Sequence, residues 1–177
     1  IEGNTACGGG YSWYYGFDSA GPANSVDLVT VVEHEICHGL GFPSFINVST
    51  GAEFMGFDDV YEANSESHGG APSVLTTMSN AQRVTAMTTV TNLDWIGAYV
   101  QAASGVLSMG KNGTHVQLYA PATVAPGSTF SHWSDALLPN ELMEPSYTGA
   151  NHSRGLAAEL LKDIGWTLEC AGGGGIS

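Results

Sequence analysis

The chain has 177 residues, with 4 Lys and Arg against 17 Asp and Glu, giving a net charge of −13. That field repels nucleic acid and anionic membranes, and no apolar run reaches the roughly 18 residues needed to cross a bilayer. With 43% hydrophobic residues, 12% charged residues and 24 glycines, the composition excludes a disordered acidic tail and implies a loop-rich, secreted-type domain with its own core.

Ile1-Glu2-Gly3 carries no signal-peptide pattern, so export implies a mature or trimmed chain. Of the three cysteines, Cys7 and Cys170 lie near the two ends, where a staple between them would imply an oxidising compartment. That pairing would leave Cys37 single. Residues 11–18, Tyr-Ser-Trp-Tyr-Tyr-Gly-Phe-Asp, read as an aromatic-rich strand. Such a strand is either an edge open to an extended peptide or an interior strand. Residues 19–25 form a loop of Ser, Ala, Gly, Pro and Asn.

The next stretch organises the chain: Val31-Val32-Glu33-His34-Glu35-Ile36-Cys37-His38-Gly39-Leu40-Gly41-Phe42. It reads as a helix with Ser25 as N-cap and Asp27 in the first turn. At about 100° per residue, Val29, Val32, Ile36 and Leu40 form one stripe, expected to pack on the core. His34 and His38 lie roughly opposite it, four residues apart and so on one face. Two such imidazoles grip one metal ion, and Glu35 reaches a water beside it, which is the H-E-x-x-H arrangement of zinc hydrolases. Gly39 and Gly41 stop the helix. Cys37 is turned roughly 60° from His34 toward the apolar stripe, which favours a buried thiol over a metal ligand.

Residues 44–77 hold an acidic patch, Glu53, Asp58, Asp59, Glu62 and Glu66. Ca²⁺ is conceivable there, but without an Asp-x-Asp-x-Asp-Gly loop a solvated acidic face is the better reading. Ser79 caps a short helix over 80–88, and 92–100 reads as a partly buried extended segment. Val106–Met109 and Thr114–Tyr119 flank Gly110-Lys111-Asn112-Gly113, a hairpin signal. The last element is a helix from Ser153 to Ile164. It buries Leu156, Ala157, Leu160, Leu161 and Ile164, turns Glu159, Lys162 and Asp163 outward, and ends at Gly165. Trp166 is expected to fold back on the core, and 171–177 reads as a flexible Gly-rich tail.

A catalytic zinc takes three protein ligands and a water. Candidates for the third are His68, His115, His132 and His152, or an acid such as Glu53 or Glu62. The strand alternation around His115 favours a surface or cross-strand histidine, His68 beside Gly69-Gly70 reads as solvated, and His152 reads as capping or supporting the last helix. Gly41 permits a sharp turn beneath the metal, but three residues further on stands Ser44, where a compact H-E-x-x-H-x-x-G-x-x-H motif has its third histidine.

Ser131-His132-Trp133-Ser134 and Leu142-Met143-Glu144-Pro145 resemble the closing segment of leishmanolysin-type metzincins, zinc peptidases with an insertion after the glycine turn. Leu160–Trp166 is similar to that family's closing helix. The resemblance covers roughly 24–42 and 128–168. It implies His132 as third ligand, 94 residues after His38, and Met143 as the Met-turn residue beneath the metal. Tyr147, four residues after Met143, is a candidate oxyanion donor, as a tyrosine is in some other metzincins. Only 33 residues precede His34, fewer than such a fold places before its zinc helix, so either the upstream sheet is drastically reduced or the sequence is a fragment of a longer chain.

The expected fold is therefore α+β and metzincin-like. It comprises an active-site helix, a small mixed or antiparallel sheet, and a loop-rich C-terminal part with a Met-turn and a closing helix. Residues 1–170 form one catalytic domain, and further domains are conceivable beyond 171–177. The expected function is a secreted zinc-dependent endopeptidase acting on protein or peptide substrates, with His34, His38 and His132 on Zn²⁺ and Glu35 as general base. Two alternatives stand beside it: a thermolysin-like site with Glu62 as third ligand, and a non-catalytic zinc-stabilised binding or adhesion module.

Overall fold

The structure is a computed structural model that describes residues 11–167. The Cys7–Cys170 pairing and the 171–177 tail lie outside the described residues. The chain opens with β1 (Ser12–Tyr14), which pairs in parallel with β2 (Ser25–Asp27), followed by α1 (Leu28–Gly39). Next come α2 (Val60–Ala63), β3 (Ser65–Ser67), β4 (Ser73–Val74), α3 (Asn80–Met87), β5 (Leu93–Trp95) and α4 (Ala98–Ala103). A hairpin of β6 (Lys111–Asn112) and β7 (His115–Gln117) leads through a long irregular segment to α5 (Gly155–Asp163). The main sheet is antiparallel in the order β4-β3-β5-β7-β6, so the fold is α+β.

Several sequence expectations need correction. The aromatic strand is only three residues long and lies in a two-stranded pair outside the main sheet, so it is not interior. Its pairing holds Ser25–Asp27 extended, which delays the start of α1. Asp27, not Ser25, is therefore the N-cap, its carboxylate accepting from Thr30 N at 2.8 Å. Of residues 92–100, only Leu93–Trp95 is strand. Asp163 then does not face solvent: it accepts from Tyr99 N, Val100 N and Trp95 Nε1 and so fixes the start of α4 against α5. The hairpin exists, but its two-residue turn is Gly113-Thr114, with Gly113 at φ +62°.

The stripe on α1 is also not the buried one. Val32 and Ile36 are 46% and 53% exposed, while Thr30 and Cys37 are buried. The reason is that the second half of the chain packs on the histidine side of α1. Where the expectations hold, the local chemistry is visible: Ser79 and Gln82 form a capping box on α3, and Leu156, Ala157, Leu160 and Leu161 are buried along α5. Trp166 folds back as expected, but onto the end of α1, donating from Nε1 to Leu40 O at 2.8 Å while staying about half exposed.

The core centres on aromatic rings meeting edge to face, the arrangement their quadrupoles favour. Phe42 meets Trp133 with centroids 5.0 Å apart, and Tyr61 meets Trp95 at 4.8 Å and Phe130 at 5.3 Å. All five rings are 1% exposed or less. Phe42 follows the end of α1 and Trp133 follows His132, so this contact ties together the two halves of the chain. Phe42→Ala is expected to cost about 3–5 kcal/mol of unfolding free energy, read from a denaturant midpoint at unchanged slope.

Candidate metal centre

The end of α1 is built to turn sharply. Phe42 N donates to Cys37 O at 3.0 Å and Gly41 N to His38 O at 3.1 Å, with Gly41 at φ +114°. This is a Schellman motif, and a side chain at position 41 would be strained in that conformation. The turn drops Phe42 beneath the histidines. There its carbonyl accepts from His38 Nδ1 at 3.0 Å and its ring enters the core.

His132 arrives from the other direction. Its segment is held by Tyr119 N to His132 O at 2.9 Å, Trp133 N to Met143 O at 2.8 Å and a bridge between Leu118 and Trp133. The three Nε2 atoms of His34, His38 and His132 lie 3.2 Å from one another in every pair. Each ring is oriented from behind by a main-chain carbonyl: Leu142 O for His34 Nδ1 at 2.9 Å, Phe42 O for His38 and Ser128 O for His132 at 3.0 Å. A carbonyl can only accept, so each Nδ1 carries the proton and each neutral ring turns an Nε2 lone pair inward.

Three lone pairs facing one point repel unless an electrophile lies between them. Burial moves the rings the same way: it depresses His132 to about 4 and His38 below its usual value, each opposed by the hydrogen bond to its carbonyl. A tetrahedral zinc at about 2.0–2.1 Å from each nitrogen spaces those nitrogens about 3.3 Å apart, close to the 3.2 Å observed. The three histidines are thus positioned to hold a metal ion.

Glu35 is exposed and, with His34, Leu142, Glu144 and Tyr147, lines a cleft along α1. Tyr147 Oη accepts from Asp27 N at 3.0 Å, which leaves its own proton free to donate into the cleft. Met143 is fully buried, on the segment whose Leu142 carbonyl orients His34. His152 supports rather than ligates: its Nε2 lies 2.8 Å from Asp27 Oδ1. Burial alone would raise the Asp27 carboxyl, but hydrogen bonds from Thr30 and His152 outweigh it and hold the carboxyl low. Cys37 is a buried free thiol, pushed up by burial and by Glu33.

Glu62 does not join the histidines. It is fully buried on α2, with Oε1 2.8 Å from Arg83 Nε. Arg83 also pairs with Glu53, so the Glu53, Asp58 and Glu62 part of the acidic patch contains a cation of its own, and at Glu62 the patch is buried rather than solvated. Asp59 is occupied capping α2 and accepting from Ser44 and Phe45 N. His68 is not simply solvated, and His115 is the cross-strand histidine expected: both join Glu66 in a separate group on the main sheet. The orienting carbonyls of Phe42, Ser128 and Leu142 left no trace in the sequence, because any residue supplies a carbonyl.

Burial pushes the Glu62 carboxyl up to about 7, with Arg83 opposing. The folded state therefore prefers the neutral acid. That stabilisation is complete below the unfolded value of 4.5 and is lost as pH rises through about 7, a difference of about 3 kcal/mol. The thermal midpoint of Glu62→Gln, measured against wild type at each pH, should therefore rise between pH 5 and pH 8. Comparisons with protein-family models, with curated protein sequences and with solved structures find no match for this chain.

Proposed function

We propose that the protein is a zinc-dependent endopeptidase of metzincin type, similar to the leishmanolysin group. The observation that carries this reading is the convergence of three Nε2 lone pairs at 3.2 Å beside Glu35, in an open cleft. His34, His38 and His132 would hold Zn²⁺, since three imidazoles with an open fourth position are a catalytic rather than a closed structural set. The ion supplies Lewis acidity when bound, acidifying a water and polarising the scissile carbonyl.

The chain's own residues do the rest. Glu35, one residue after the first ligand and open to the cleft, takes the proton of the attacking water. It then passes that proton to the departing amine, acting as general base and then general acid. Tyr147, anchored through Asp27 N, donates its free hydroxyl proton to the oxyanion that develops on the carbonyl. The Leu142 carbonyl keeps His34 turned inward, and the buried Met143 beside it would serve as the Met-turn residue. A peptide lies in the cleft between α1 and the 144–149 segment. The pairing of Glu62 with Arg83 supports His132, rather than a carboxylate, as the third ligand. The exposure of Glu35 in the cleft supports catalysis over a purely structural metal. The low count of cations, the overall negative charge and the resemblance support a secreted enzyme with neutral or basic peptide substrates.

Glu35→Gln should keep its metal, measured by elemental analysis, and lose about 10²–10⁴-fold in casein turnover. Unchanged turnover in that variant would exclude the mechanism. His132→Ala should lose the ion and the activity together, whereas retention of both would remove His132 from the ligand set.

A further inference from the structure

The main sheet has one apolar and one polar face, as strand alternation requires. Leu93, Trp95 and Val116 point into the core. Register places Glu66 opposite Asp94, and Asp94 opposite Gln117, so Glu66, Asp94 and, two residues from Gln117, His115 share the other face. His68, two residues beyond Glu66, joins them. On a face turned from the core, Asp94 is nevertheless fully buried.

These four side chains converge, each histidine lying against a carboxylate. His115 Nδ1 lies 3.0 Å from Glu66 Oε1, and His68 Nε2 lies 3.6 Å from the same oxygen and against Asp94 Oδ2. Among the described residues, Glu66 Oε1, His68 Nε2 and Asp94 Oδ1 are buried atoms that meet no partner in aligned hydrogen-bond geometry. Asn112 Nδ2 donates to Asp94 Oδ2 at 2.7 Å, orienting the carboxylate from outside as supporting residues orient metal ligands. One ligand atom from each of Glu66, His68 and His115 lies within 4.8 Å of the others. Close approach without hydrogen-bond alignment is how donors stand when they face a common centre instead of one another.

We propose that Glu66, His68, Asp94 and His115 form a second, structural site for a divalent transition ion of the class zinc fills. Two imidazole nitrogens with two carboxylate oxygens suit that class better than calcium, which takes six or more oxygens. Four protein ligands leave no open position, so the site is structural. Its ligands come from β3, β5, β7 and the residue following β3. The ion would therefore clamp the centre of the sheet, and the end of β7 runs on into Leu118, which bridges Trp133 beside His132.

The test is the zinc content of the full chain after saturation with Zn²⁺ and dialysis, with circular dichroism as a folding control. Wild type should hold two Zn²⁺ per chain and His68→Ala/His115→Ala one. The reciprocal variant His34→Ala/His38→Ala should also hold one, and should lose it when His68 and His115 are replaced as well. This reciprocal variant decides the matter even where loss of the sheet site unfolds the chain. A reciprocal variant with no Zn²⁺ would overturn the proposal without touching the His34, His38 and His132 centre, whereas a single wild-type Zn²⁺ that the reciprocal variant retains would uphold the sheet site and count against that centre.

Discussion

The contact on which the rest depends is the edge-to-face meeting of Phe42 and Trp133, 5.0 Å apart and fully buried. Each ring is covalently next to, or one turn beyond, a site residue. Phe42 closes the Schellman turn after α1 and its carbonyl holds His38; Trp133 follows His132 and donates its main-chain N–H to Met143 O. Burial of two large rings offsets the entropy of closing a loop of about 90 residues, a cost that grows only slowly with length. A two-histidine helix is common chemistry. What makes this one a centre is that hydrophobic packing delivers the third imidazole from the far half of the chain.

Packing sets the distance, and hydrogen bonds set the direction. Each of the three rings is turned by a carbonyl behind it, from Leu142, Phe42 and Ser128, which fixes the tautomer that faces inward. Three acceptor lone pairs share one small space, so a bound cation would relieve their repulsion and reinforce the fold around it. The other end of α1 is fixed by the same kind of economy: Asp27 caps the helix, receives His152 and anchors Tyr147 through its own N–H. The N-terminal end of the helix that carries Glu35 is thus clamped to the 147–152 segment beside the cleft.

The site was more legible in the sequence than the fold around it. The spacing of His34 and His38, the stop at Gly41 and the Ser-His-Trp of 131–133 are local signals, and the structure brings those histidines together. The packing of α1 was not legible. Its stripe of Val32 and Ile36 looked like the core face, yet the rest of the domain lies on the histidine side, and periodicity gives an azimuth but not a partner. Asp163 misled in the same way: on α5 it occupies an outward position, but α4 comes to it for a cap. His68 and His115 stood as separate ligand candidates and Glu66 as part of an acidic patch; strand register stacks them with Asp94 on one face, which no short window of sequence displays.

The central claim is that three imidazoles from the two halves of the chain share one ion. The direct measurement is a crystal structure of the zinc-loaded protein with anomalous data collected at the zinc edge. The account predicts a peak about 2.0–2.1 Å from the Nε2 atoms of His34, His38 and His132, with its remaining position open toward the Glu35 cleft. No peak between those rings, or a peak ligated by His34 and His38 with His132 turned away, would contradict it.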